Sequence, residues 1–243
     1  MSDPLFLVDA LPTGDSAVLT GPEGHHAATV QRLRVGQGLL LGDGRGGIAR
    51  ARVAAVARGE LELAVGERWL TPAADPRLVV VQGLPKGERG ELAVQSMTEV
   101  GVDEIVPWAA ARCVTQWRGE RGAKARGKWA AVAREAMKQA RRSWLPSVAG
   151  APVESTAIVA DRLREGASFV LHEEATDRLT TVGLPAAGVI TVVVGPEGGI
   201  TADELAAFAA AGARAVRLGD SVLRTSTAGV AALSVLNARL DRW

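Results

Sequence analysis

Two stretches constrain this chain more than any others. Leu78-Val79-Val80-Val81 and Val189-Ile190-Thr191-Val192-Val193-Val194 are almost unbroken apolar runs of strand length. A strand with one wet face alternates apolar and polar residues, whereas a strand buried on both faces does not. Such runs belong to a sheet with helices on both sides, and the surrounding segments have helical period. Glu88 to Val100, Arg126 to Arg142, Ser155 to Glu165, Thr201 to Ala211 and Thr225 to Leu240 are expected helices. Glu104 to Trp108, Ser168 to Leu171 and Ala213 to Leu218 are further strands. On the long helix Trp129, Val132, Ala133, Ala136 and Ala140 share one face. Strands alternating with helices predict an α/β domain with a mostly parallel sheet over residues 77–243.

The first seventy residues read differently. Leu5 to Val8, Ala17 to Leu19, Leu39 to Leu41, Ile48 to Val56 and Leu61 to Val65 are short strands, with turns at Asp43-Gly44 and Arg58-Gly59. One helix is expected over His25 to Leu33. Many short strands with little helix predict a small β-barrel over residues 1–70. Gly66 to Pro76, with Pro72 and Pro76, is the linker.

No apolar run reaches the roughly 18 residues needed to cross a bilayer. Met1-Ser2-Asp3-Pro4 does not read as a signal peptide. The lone Cys113 excludes an internal disulfide and a cysteine-based zinc site. The adjacent His25 and His26 lack a third ligand, so no metal is expected. A reducing cytoplasm is the expected compartment.

The net charge of +1 conceals two basic tracts. Between residues 112 and 142, Arg112, Arg118, Arg121, Lys124, Arg126, Lys128, Arg134, Lys138, Arg141 and Arg142 face only Glu120 and Glu135. Between residues 32 and 58, Arg32, Arg34, Arg45, Arg50, Arg52 and Arg58 face only Asp43. Tracts of this kind fit either a polyanion footprint or a solvated surface. Lys128, Glu135, Gln139 and Arg142 fall on one polar stripe of the long helix.

Chemistry is concentrated at two strand-to-helix junctions. Val194 runs into Gly195-Pro196-Glu197-Gly198-Gly199, with a helix starting near Thr201. This run is neither a Walker loop nor the dinucleotide fingerprint. It admits two readings, a tight turn with Thr201 and Glu204 as a capping box, or a ligand loop of exposed backbone amides. Leu218-Gly219 and Leu223-Arg224-Thr225-Ser226-Thr227-Ala228 form the second junction. There, Thr225 or Ser226 is a plain N-cap, or the loop lines a small-molecule pocket.

These motifs, with Val30-Gln31-Arg32-Leu33, Lys86-Gly87, Thr98-Glu99-Val100-Gly101-Val102 and Glu135-Ala136-x-x-Gln139-x-x-Arg142, resemble the ribosomal RNA small subunit methyltransferase E family. That family is a branch of the SPOUT methyltransferases. The resemblance runs over nearly the whole chain and departs from the family pattern at Gln31, Ser96 and Ser226. It implies a PUA-like β-barrel and a SPOUT α/β domain whose C-terminal trefoil knot is among the rare exceptions to unknotted chains. It also implies a homodimer, and methylation of N3 of a uridine in 16S ribosomal RNA, free or within the small ribosomal subunit. S-adenosylmethionine (SAM) would be held by Leu171, Gly195, Pro196, Glu197, Gly198, Gly199, Leu218, Gly219, Val222, Leu223, Arg224, Thr225, Thr227 and Ala228. RNA would be bound by Arg32, Arg34, Lys86, Arg112, Lys128, Gln139 and Arg142. Arg142, Arg224 and Glu197 are the catalytic candidates, the last for proton removal, with water as its alternative. The competing expectations are a non-catalytic RNA-binding protein and a SPOUT enzyme acting on another RNA or atom.

Overall fold

The computed structural model describes residues 3–149 and 153–243. The chain divides into two compact units, Met1–Ala73 with Met137–Leu145, and Ala74–Ala136 with Pro146–Trp243.

In the first unit β1 (Leu5–Leu7), β2 (Ser16–Leu19), β3 (Gly38–Gly42), β4 (Gly47–Ala57) and β5 (Glu60–Leu70) form one sheet in the order β1-β3-β4-β5-β2. Every pairing is antiparallel except β1 with β3. The two-residue period of the sequence sets the faces. Ala49, Ala51 and Val53 of β4 and Leu61, Leu63 and Val65 of β5 point into one core with Phe6, Leu39 and Leu41, while Arg50, Arg52 and Glu62 are exposed. The β4–β5 turn falls where Arg58-Gly59 predicts it, with Gly59 at φ 77°, a conformation glycine adopts without steric cost. The helix expected from His25 starts earlier, as α1 (Gly21–His25), because Pro22 pre-sets a helical φ at its first turn. It continues as a wide π-type turn, His26–Val30.

The second unit carries β6 (Arg77–Gly83), β7 (Glu104–Trp108), β8 (Ser147–Val148), β9 (Ala167–Leu171), β10 (Val189–Val194) and β11 (Arg214–Val216). They form one parallel sheet in the order β11-β9-β10-β6-β7-β8. Both apolar runs lie at its centre, β10 beside β6, and both are buried on two faces. On one face, Leu78 and Val80 pack with α2 (Arg89–Glu99), α3 (Gly119–Gln139) and α6 (Thr225–Arg239) through Met97, Trp129 and Leu233. On the other, Val79 and Val81 pack with α4 (Thr156–Arg162) and α5 (Ala202–Ala210) through Val159 and Phe208. Trp129, on the apolar face of the long helix, is buried against the ring of Trp117.

The long helix departs most from expectation. It begins at Gly119 and ends at Gln139, so Ala140 lies past its end and is exposed. The termination is a Schellman closure: Arg142 N–H donates to Met137 O (3.0 Å), and Arg141 N–H to Lys138 O (3.1 Å). Arg141 takes the left-handed position at φ 51°, where a glycine would have marked the stop in the sequence. Met137 and the segment after it join the first unit, and Met137 is fully buried with Leu5, Leu7 and Ile48.

Candidate functional site

Parallel sheets place ligand-binding loops at the carboxyl ends of their strands. Here β11, β9 and β10 are adjacent, and all three end on one cleft of about 620 Å³. The loop after β9 supplies His172, Glu173 and Glu174; the loop after β10 supplies Gly195 to Gly199; the loop after β11 supplies Arg217, Leu218 and Gly219. Val222, Leu223, Arg224, Thr225 and Ala228 close it from the start of α6, and Leu171 lines it from the end of β9. The volume lies within the ~300–1,000 Å³ of small-molecule sites.

The capping-box reading of the Gly195–Gly199 run holds, and the run also lines the cleft. Thr201 and Glu204 form the capping box: Glu204 N–H donates to Thr201 Oγ1 (3.3 Å), and Thr201 N–H to Glu204 Oε2 (2.9 Å). Burial pushes the Glu204 carboxyl up, but hydrogen bonds from Thr201, the Ala111 amide and the Thr156 hydroxyl outweigh it and hold it below the usual carboxylate range. That anchor frees the preceding residues to line the cleft. Gly198 leaves no room for a side chain, since a Cβ there would lie 2.9 Å from the Arg112 carbonyl oxygen. Gly199 sits at φ 76°.

At the second junction the N-cap is Arg224, not Thr225 or Ser226. The Arg224 carbonyl accepts from Thr227 N–H and Ala228 N–H, both at 2.9 Å, so its backbone is fixed while its exposed side chain lines the cleft. Thr227 does not line the cleft among the described residues; its hydroxyl donates to Arg224 O (3.2 Å). Thr225 turns inward instead. Its hydroxyl donates to Gly195 O (2.8 Å) and accepts from Gln82 Nε2 (2.9 Å). Gln82, fully buried at the end of β6, also donates to Gly83 O (3.1 Å). One buried chain of hydrogen bonds therefore ties both loops to the central strand. Ser226 is buried and does not line the cleft among the described residues.

Glu197 lines the cleft as a held anion. Its carboxylate accepts from Lys86 N–H (3.2 Å) and pairs with Arg89 Nη1 (3.1 Å). Burial pushes its carboxyl up, yet the amides of Glu197 and Lys86 and the Arg89 guanidinium prevail, leaving it below the ordinary range. Arg112 also lines the cleft and donates to Gly198 O (3.2 Å). The remaining RNA candidates lie elsewhere. Lys128 pairs with Glu91 on α2 (2.8 Å), while Arg32, Arg34, Gln139 and Arg142 belong to the first unit. Among the described residues, no cluster of His, Cys, Asp or Glu could hold a metal, and no helix is long and apolar enough to cross a membrane.

The sequence reading missed Gln82, Arg89, His172, Glu173, Glu174 and Arg217. The three residues after β9 were legible in principle from the strand-end rule applied to Leu171. Gln82 carried no signal, because only the fold brings it beside Thr225.

The RNA methyltransferase domain family matches residues 73–237, and the RNA methyltransferase PUA domain family matches residues 19–65. The chain belongs to the ribosomal RNA small subunit methyltransferase E family. A relative of that name from Mycobacterium bovis is 50% identical over 98% of this chain and 93% of its own length. The crystal structure of a ribosomal RNA small subunit methyltransferase E from Neisseria gonorrhoeae, bound to S-adenosyl methionine, superimposes with a TM-score of 0.87 at 26% identity, covering 98% of each chain. A methyltransferase from Legionella pneumophila in complex with SAM gives 0.87 at 25% identity, also over 98% of each chain. The first unit is thus the PUA-like part of this methyltransferase E family member, and the parallel sheet its methyltransferase domain.

Proposed function

We propose that this chain is a SAM-dependent methyltransferase of small-subunit ribosomal RNA, and that its target atom is N3 of a uridine in the 16S molecule. The observation that carries this reading is the convergence of residues 195–199 and 218–228 on one cleft at the carboxyl ends of three parallel strands, in a chain of this family. The cleft volume fits a ligand of SAM's size. Gly195 to Gly199, Leu218-Gly219, Val222 to Thr225 and Ala228 would hold it, with Leu171 beside them. Bound there, SAM supplies an electrophilic methyl group on a sulfonium.

The chain's own residues have three tasks. The uracil N3 is an imide nitrogen that becomes nucleophilic only as its proton leaves, so the site must stabilise the resulting anion. Arg224, its backbone fixed and its exposed side chain lining the cleft, would meet a uracil carbonyl oxygen; Arg142, the other catalytic candidate, belongs to the first unit. Glu197 is a weak base while held by Arg89 and the Lys86 amide, which favours water as the proton acceptor and Glu197 as the residue that orders the loop. The target base has to be unpaired to enter. Arg32, Arg34, Lys86, Arg112, Lys128 and Gln139 would bind the surrounding RNA, with an affinity that falls steeply with salt. The same reading includes a homodimer, a cytoplasmic location and a C-terminal trefoil knot.

The test is nucleoside mass spectrometry of 16S RNA after incubation with the purified chain and SAM. 3-Methyluridine is expected. Methylation at another atom, or none with folded protein, rejects the assignment.

A further inference from the structure

We propose that a second pocket, built wholly within the first unit, receives one unpaired nucleotide of the RNA substrate. Its base edge would meet Gln31 and Gln139, and its phosphate Lys138 and Arg141. The proposal rests on the RNA methyltransferase reading and adds a site distinct from the cleft, with which it shares no lining residue.

The pocket encloses about 210 Å³, and its polar wall is made by His26, Gln31, Lys138, Gln139 and Arg141. That is below the ~300 Å³ at which small-molecule sites begin, and it suits one base or phosphate rather than a whole cofactor. Two chain reversals build it. Gln31 closes the π-type turn His26–Val30, and Gln139 ends α3 immediately before the left-handed Arg141. The two basic tracts of the sequence therefore meet at one place, with the exposed Arg32 and Arg34 following Gln31.

The chemistry of the wall is that of a nucleotide site. No carboxylate lines it. Lys138 is 7% exposed, and its ammonium is fixed by Glu23 Oε1 at 3.0 Å. Keeping an ion pair this buried is a poor way to gain stability, since apolar residues of similar volume do as well or better. A fixed cation at the wall of a small pocket does suit a phosphate oxygen. The Gln31 and Gln139 amides each offer donors and an acceptor, the groups that read the edge of an unpaired base. The half-buried His26 ring, held edge-on to the buried Phe6 (6.1 Å between centroids, 87° between planes), adds an aromatic face on which a base can stack.

The experiment uses the full chain and a 16S RNA transcript. Gln31→Ala removes one amide. Arg141→Asn removes a guanidinium with a residue that tolerates positive φ. Each should raise the Kd for fluorescently labelled RNA, and the KM for RNA in methylation, by about tenfold, the effect of one lost contact of this kind. The Kd for SAM and the kcat at saturating RNA should stay unchanged. With 4-thiouridine in the RNA, the crosslinked peptides should include residues 26–31 or 138–141. RNA Kd unchanged in both folded variants, or crosslinks confined to other segments, overturns the proposal. An equal loss of SAM binding would overturn it too, by showing a general structural effect. If the wild type binds RNA but does not methylate it, the functional reading fails while the binding and crosslinking arms still judge the pocket.

Discussion

Replacing Thr225 with valine isolates the buried chain that joins the two loops lining the cleft. Valine keeps the branched shape but removes two hydrogen bonds, one donated to Gly195 O (2.8 Å) and one accepted from Gln82 Nε2 (2.9 Å). Thr225 is 6% exposed and Gln82 fully buried, so water cannot freely replace what is lost. Gln82 Nε2 keeps its bond to Gly83 O, which limits the penalty on that side. At about 1 kcal/mol for each lost bond, plus the cost of stranding the Gly195 carbonyl, the loss is ~2–3 kcal/mol. For a chain of this size, that lowers Tm by roughly 4–12 °C. Because Gly195 opens one loop and Thr225 begins the helix after the other, the Kd for SAM should rise about tenfold by titration calorimetry. Thr225→Ser, which keeps the hydroxyl, should restore most of both. A Thr225→Val protein with lowered Tm but unchanged SAM affinity would refute the link between this network and the cleft. Unchanged values of both would refute the network itself.

Other outcomes follow from single sites. Gly198→Ala puts a Cβ 2.9 Å from the Arg112 backbone oxygen, so SAM affinity should fall at least about tenfold while circular dichroism stays native. The Glu197 carboxyl lies below its ordinary 4.5, so its ion pair is intact above that pH and is lost as pH falls through the depressed value. Glu197→Gln should therefore lower activity without moving the pH–rate limbs between about pH 6 and 9, and loss of the acidic limb, on which the rate rises as a base deprotonates, would assign proton removal to Glu197. Burial pushes the Cys113 thiol up to about 11, leaving roughly a thousandth as thiolate at pH 8. Iodoacetamide should accordingly label Cys113 far more slowly in the folded protein than in urea, and equal rates would contradict the burial. Glu23→Ala takes the carboxylate from buried Lys138 and should cost roughly 3–5 kcal/mol in urea unfolding.

What the sequence disclosed was whatever local pattern alone determines. Val189 to Val194 reads as a doubly buried strand because its side chains lack alternation, and the Thr201–Glu204 box reads as a helix start because its partners are three residues apart. The Arg58-Gly59 turn is legible for a similar reason. The end of α3 is not, because an arginine holds the left-handed position that usually betrays a stop. Nor is the short β8, whose two residues pair with Glu104 and Ile105 far away in sequence. Within the cleft, the glycine- and threonine-rich loops announced themselves by composition. His172 to Glu174 carry no such composition and are placed there by β9. Gln82 reaches Thr225 across a sequence gap that no periodicity spans.

The return of Met137 to the first unit bears on how this molecule can be taken apart. Leu5, Leu7 and Ile48 have their apolar faces covered by a side chain more than sixty residues beyond Ala73. Lys138 likewise supplies the counter-charge for Glu23, and Trp144 Nε1 donates to Thr71 O at 2.9 Å. Cutting the chain after Ala73 would expose that apolar patch and strand a buried carboxylate, so the PUA-like part is not a cassette to be excised or grafted at one peptide bond. A transplant that carried residues 1–73 alone would aggregate or stay partly unfolded. Joined by a short linker to residues 137–145, the same strands would have their missing wall.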